Sequence, residues 1–258
     1  MRRVVVLAAL TAMLIPGVAQ AVNNTVTTAL PATPGEVRSQ AVNPGDVAYY
    51  AYTLQAGRSY SAGCWMPTSE GAAQGGVISF RCLPQFRDGS DVVVTQTAAN
   101  GFSVEPGVPG GGFASFVAPS TNNYFVRIAN ILAAGTVRMV LLETTLEASW
   151  YFISAAASYE AFLEIRNNTS NSISVTVTPF ASGGTSAGTP FTTTIAANGN
   201  TAVAVGAQFG ITSGSGSVQI ANTAPPGGVV ANVTTLSGAT GLSFDSPASP
   251  RMVWANFP

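Results

Sequence analysis

Tyr159-Glu160-Ala161-Phe162-Leu163-Glu164-Ile165-Arg166 is the stretch on which the fold turns. Successive side chains of an extended chain point to opposite faces, so Tyr159, Ala161, Leu163 and Ile165 share one face. Glu160, Phe162, Glu164 and Arg166 share the other. The run therefore reads as a β-strand with one face suited to a core. Asn167 to Ser172 makes a turn, and Ile173–Thr178 returns as a second strand.

The same pattern continues in both directions. Phe191–Ala196 and Thr201–Val205 flank Ala197-Asn198-Gly199-Asn200. Asn-Gly suits the positive φ angles of a type I′ turn, which predicts a hairpin here. Ser217–Ala221 and Val229–Leu236 are further strands, separated by the rigid polar loop Asn222–Gly228 (NTAPPGG). Upstream, Val47–Leu54 is a strand bounded by Pro44-Gly45-Asp46 and Gln55-Ala56-Gly57. Ser59–Cys64, Val77–Cys82, Asp91–Thr97, Phe113–Val117, Tyr124–Ala129 and Thr136–Glu143 complete the expected set, with Gly107–Gly112 (GVPGGG) as a loop.

Short β-branched and aromatic segments between Gly/Pro/Asn/Ser clusters are the all-β pattern. The expected fold class is thus all-β: two antiparallel β-sandwich domains, Ig-like or jelly-roll-like, in tandem. No Pro/Ser linker divides the halves, and the boundary is expected near Thr144–Thr145, giving domains 22–143 and 144–258. One large sandwich is the alternative that this length also permits.

The amino terminus reads as an export signal. Met1-Arg2-Arg3 is positive, Val4 to Ile15 is apolar, and Pro16-Gly17 breaks the run before Ala19-Gln20-Ala21, a small-x-small cleavage site. The apolar run is too short to span a bilayer, which takes about 20 residues. Residues 1–21 are therefore expected to be removed before Val22, leaving a secreted protein of the periplasm, exterior or cell surface. No later segment is long and apolar enough to cross a membrane.

Composition narrows the chemistry. The 258 residues contain no histidine and no lysine. Histidine is the usual general base near neutral pH and the commonest metal ligand. Lysine is the usual amine nucleophile, so no standard activation of a serine or threonine hydroxyl is at hand. Beyond the signal, eight arginines face eleven carboxylates, a net charge of −3, and no basic nucleic-acid footprint is present. Cys64 and Cys82 are the two cysteines of an exported chain and are expected to form a disulfide. A zinc site would want four ligands, with no histidine to complete it.

Residues 36–142 resemble the bacterial pre-peptidase C-terminal domain (PPC-like), a β-sandwich found on exported proteins. The resemblance is carried by Pro44 to Gly57 (PGDVAYYAYTLQAG) and by Val117 to Ile128 (VAPSTNNYFVRI). It implies a non-catalytic, secretion-associated role. The chain departs from that family in carrying the cysteine pair and in lacking its acidic turn motif. Residues 145–248 are similar to immunoglobulin-like modules of exported bacterial proteins, through Ala161 to Asn167 and Gly241 to Asp245. That likeness implies no activity.

Three sets of residues are candidate sites. Glycoside hydrolysis needs two carboxylates roughly 5–9.5 Å apart. Glu160 and Glu164, four strand residues apart, are about 13 Å distant at 3.3 Å per residue and read as a solvated face. Asp88 and Asp91 on the Arg87-Asp88-Gly89-Ser90-Asp91 turn could start a calcium loop, although calcium takes six to eight oxygens. A simple polar turn is the plainer reading, so no cofactor other than calcium is expected. Tyr50, Tyr52, Trp65 and Trp150 are the aromatic candidates for stacking on a ligand, against the alternative that they fill the core. Consecutive aromatics such as Trp150-Tyr151-Phe152 must divide between core and surface. Trp254 lies near the tail. The expected role is non-enzymatic interaction with an extracellular protein or glycan; carbohydrate binding and a calcium-stabilised adhesion module are the alternatives.

Overall fold

The computed structural model describes residues 23–65, 82–102, 111–129 and 135–251. The expected signal peptide, most of the Val77–Cys82 segment and Trp254 lie outside the described residues.

The protein is all-β. Nine strands build two sheets: β1 (Leu30–Pro31), β2 (Val37–Val42), β3 (Ala48–Leu54), β4 (Ser59–Trp65), β5 (Leu83–Arg87), β6 (Thr97–Phe102), β7 (Gly111–Val117), β8 (Asn122–Ala129) and β9 (Gly135–Glu143). One sheet runs β1-β3-β8-β5 and the other β2-β9-β4-β7-β6. Pairing is antiparallel except for the short β1–β3 contact. Period-two alternation sends Tyr50, Tyr52, Leu54, Val126 and Ile128 of the first sheet towards Tyr60, Ala62, Phe116, Met139 and Leu141 of the second. The sheets thus share one core.

Cys64 on β4 and Cys82 just before β5 form a disulfide, their Cα atoms 6.1 Å apart. Because β4 and β5 belong to different sheets, the bond staples the two layers across the core. Replacing both cysteines by alanine is expected to lower stability by about 3 kcal/mol through the unfolded chain it frees. Urea unfolding under oxidising conditions reads that loss.

The remaining strands are β10 (Leu146–Ser154), β11 (Tyr159–Asn167), β12 (Ile173–Ala181), β13 (Phe191–Ile195), β14 (Asn200–Ala204), β15 (Ser213–Asn222), β16 (Val229–Ser237) and β17 (Ser243–Pro250), with the short helix α1 (Val205–Phe209). They form one sheet in the order β13-β12-β15-β10-β17-β16-β11-β14, doubled over on itself by a further β10–β11 pairing. Ala161, Leu163 and Ile165 of β11 meet Ile173, Val175 and Val177 of β12 in a second core. Between the two groups of strands only Thr144 and Thr145 intervene, and both are buried.

Two sequence expectations need correction. The Asn198-Gly199 turn exists, but its flanking strands do not form a hairpin: β13 pairs with β12 and β14 with β11. Asn198 takes a positive φ of 55°, whereas Gly199 does not, and a type I′ turn needs both. The buried Asn167 side chain explains the crossing. Its Nδ2 donates to the carbonyls of Ile195 and Ala196, so the end of β13 is tied to β11 and the chain steps between layers. Second, the expected strand Asp91–Thr97 is only an irregular return, Val94 N–H to Phe86 O, beside the strand Leu83–Arg87 that the sequence did not suggest. Pro84 hides this strand from a propensity reading; it is tolerated because β5 is a sheet edge. The NTAPPGG loop, a connection between β15 and β16 as expected, is partly buried. Ala224 is fully buried, and the carbonyl of Thr223 accepts a 2.5 Å hydrogen bond from Ser115 Oγ on β7.

That bond belongs to a junction that joins the two groups. Ser59 N–H donates to Thr145 Oγ1, Asn222 Nδ2 to Thr144 O, and Gln219 Nε2 to Gly57 O. Arg58 pairs with Glu143, Glu143 with Arg251, and Arg251 with Glu147, so one ion chain runs across the boundary.

Candidate functional site

β10 begins as an ordinary strand with Leu146 and Ala148 inward. Its register against β15 then slips: Ala148 faces Val218, but Tyr151 faces Gly216, so β10 carries one extra residue. Such a bulge re-aims the side chains that follow it. Without it, period two would put Trp150 and Phe152 in the core. With it, Tyr151 and Ile153 are the core residues, at 1% and 2% exposure, and Trp150 stands 41% exposed.

The bulge also frees backbone. Ladder pairing of β10 with β17 stops at Ala148–Ala248. Two buried hydroxyls on neighbouring strands take the next donors: Trp150 N–H bonds Ser246 Oγ at 3.2 Å, and Phe152 N–H bonds Thr235 Oγ1 at 3.3 Å. Buried or half-buried N–H groups are thereby satisfied, and the segment that carries the aromatics is fixed.

The result is a row of four rings. Phe244 meets Trp150 edge-on, with centroids 5.9 Å apart. Trp150 and Phe152 lie nearly parallel, 6° between planes and 6.2 Å between centroids. Phe152 then meets Tyr159 edge-on at 5.3 Å. Phe244 is 47% exposed, and Phe152 and Tyr159 are half-buried. The sequence offered the Trp150-Tyr151-Phe152 run without its phase, and it did not point to Phe244 and Tyr159, which the fold brings beside it.

The other aromatic candidates are core residues, which corrects their reading as a stacking surface. Tyr50, Tyr52 and Trp65 are 3%, 1% and 1% exposed. Tyr50 and Tyr52 pack between the sheets, with Tyr50 OH donating to Gln40 Oε1 and Tyr52 OH directed at Met139 Sδ. Trp65 lies on the opposite face of β4 with Phe113, Val140 and Leu142. Burial pushes the Tyr50 phenol up to about 12 and that of Tyr52 higher still, against about 10 in an unfolded chain. Both contributions are intact below pH 10 and lost as pH rises through the folded values. Melting temperature should therefore fall steeply between pH 10 and 12, and Tyr50→Phe should flatten that fall.

The carboxylate candidates are engaged locally. Asp88 Oδ1 accepts the N–H groups of Ser90 and Val92, which makes the turn. Asp91 pairs with Arg87 and accepts from Tyr49 OH. Glu160 Oε1 accepts from the N–H groups of Ala161 and Gly206, the latter in α1. Among the described residues no three His, Cys, Asp or Glu side chains gather as a metal site. Among the described residues, clefts of about 350 Å³ lie by Glu164, Arg166 and Asn232 and by Asn168, Ser172 and Pro226, and one of about 80 Å³ lies at the junction by Leu142, Leu146 and Pro225. Small-molecule pockets occupy roughly 300–1,000 Å³. No described helix is long and apolar enough to cross a membrane.

Neither a family model nor a curated protein matches the chain. Among solved structures, the full extracellular region of zebrafish Gpr126/Adgrg6 aligns at 10% identity over 84% of this chain, with a TM-score of 0.24. This chain spans 31% of that one. A likeness at that level carries no argument about fold or function.

Proposed function

We propose that the chain is an exported, non-catalytic pair of β-sandwich domains that binds an extracellular partner, with the Phe244–Trp150–Phe152–Tyr159 row as its contact surface. One observation carries this reading: a bulge spends a regular strand to turn Trp150 and Phe152 outward, where burial would have been the favourable fate of large rings. A chain without histidine or lysine, bearing an inter-sheet disulfide, fits an extracellular binding scaffold better than an enzyme. The expected signal peptide and the resemblance to pre-peptidase C-terminal and immunoglobulin-like modules support the same reading.

The test pairs binding with turnover. The purified protein should bind saturably to the washed surface of the producing cells, and Trp150→Ala should abolish that binding. It should hydrolyse none of a panel of peptides and glycans. Hydrolysis that disappears when one carboxylate is changed would overturn the proposal.

A further inference from the structure

We infer that the aromatic row is a stacking platform for a short stretch of neutral glycan. This rests on the reading of the row as the contact surface and adds the chemistry of what it contacts. Three classes of ligand stack on exposed aromatic rings: nucleic-acid bases, apolar protein side chains and sugar rings. Charge and area separate them.

Nucleic acid needs cations to neutralise its phosphates. The chain has no lysine and more carboxylates than arginines, and the row itself is uncharged. Carboxylates beside the row in sequence are committed elsewhere. Asp245, next to Phe244, accepts from Thr234 Oγ1 at 2.7 Å and Asn232 Nδ2 at 3.1 Å, bonds that hold its pKa below the ordinary aspartate value. Glu160, next to Tyr159, is the acceptor for Ala161 and Gly206. Hydrogen bonding leaves the exposed Asp245 carboxylate negative, so an anionic ligand is disfavoured beside the row.

Area decides against a protein. An aromatic side chain offers 150–250 Å², and less than half of each ring residue is open, so the row exposes roughly 300 Å². A stable protein interface buries about 800 Å² on each side. Two or three sugar rings match the smaller figure. Their C–H faces are flat and weakly electropositive, complementary to the negative faces of Trp150 and Phe152. Those two rings are parallel within 6° with centroids 6.2 Å apart, and Trp150 is the more exposed of the pair. Edge-on Phe244 and Tyr159 close the row at either end. Ser149 is exposed beside Trp150, and its hydroxyl lies 3.4 Å from that of Ser246, offering a hydrogen-bond fringe for sugar hydroxyls.

Affinity electrophoresis tests this. The purified protein is run in native gels containing soluble β-glucan, xylan, galactomannan or starch, beside gels containing heparin or polygalacturonate. At least one neutral polymer should retard it, with little dependence on salt. Trp150→Ala should weaken retardation at least about tenfold, as truncation of a tryptophan hot spot does. Phe152→Ala should weaken it less, and Trp150→Phe should retain much of it. Trp150 is 41% exposed, so the melting temperatures of Trp150→Ala and Trp150→Phe should stay near that of the parent, which excludes unfolding as the cause. Absence of retardation by every neutral polymer, retardation by the acidic polymers only, or retardation unchanged in Trp150→Ala overturns the glycan assignment. So does concentration-dependent self-association that Trp150→Ala removes, since the row would then be covered by a second copy. If the glycan gels are blank while Trp150→Ala still abolishes cell-surface binding, the glycan assignment alone falls. If Trp150→Ala changes neither, the contact-surface reading falls with it.

Discussion

Asn167→Ala is expected to remove about 3 kcal/mol of stability from the second group of strands, a large fraction of a domain's total. The side chain is fully buried and all its hydrogen-bonding capacity is used. Nδ2 donates to Asn171 O at 2.7 Å, Ala196 O at 2.9 Å and Ile195 O at 3.2 Å. Oδ1 accepts Thr169 N–H at 2.8 Å and Thr169 Oγ1 at 2.7 Å. Alanine leaves these buried groups with fewer partners and releases the step from β13 to β14. Asn167→Asp should be at least as harmful, because it turns the donor into a buried acceptor facing three carbonyls. Two-state urea unfolding measures both variants. A loss of less than about 1 kcal/mol in each would show that the Asn198-Gly199 crossing holds without this hub.

Asn167 also marks the limit of what the sequence could reveal. Strand identity was legible wherever period two met a buried face: Tyr159–Arg166 and Ile173–Thr178 lie within β11 and β12. Pairing was less legible, because Asn-Gly specifies a turn but not which strands its flanks join. That choice is made by a side chain thirty residues upstream whose partners are backbone carbonyls. The platform was legible only in part. Trp150-Tyr151-Phe152 had to divide between core and surface, but the phase was set by a one-residue slip against Gly216, which no local pattern encodes. Tyr50 and Tyr52 alternate on a strand as a sugar platform would, yet a second sheet covers them. The NTAPPGG loop has the composition of a surface turn, yet Asn222, Thr223 and Ala224 are buried and the Thr223 carbonyl accepts from Ser115 of a distant strand.

Gly216→Ala should have the larger effect and should connect fold to site. A Cβ on Gly216 would fall 1.7 Å from Phe180 O and 2.8 Å from its carbonyl carbon. Both atoms are backbone in β12, so no side-chain rotation relieves the clash, and β12 and β15 must part around the Phe180–Ser217 and Ala181–Gly216 pairs. The expected cost is about 3 kcal/mol or more, in the range of severe overpacking. Gly183→Ala is the matched control: a Cβ there meets nothing within 4 Å, and stability should change by less than about 0.5 kcal/mol. Gly216 also faces Tyr151, the first residue after the bulge. Displacing it should disturb the reversal that keeps Tyr151 inside and Trp150 outside. Below its melting temperature, Gly216→Ala should therefore shift tryptophan emission and lose retardation by neutral polysaccharide, while the first group of strands, with Trp65 and the disulfide, stays folded. A variant that lost stability but kept both emission and retardation would mean that the bulge is held by Ser246 and Thr235 rather than by the close approach of β12 and β15.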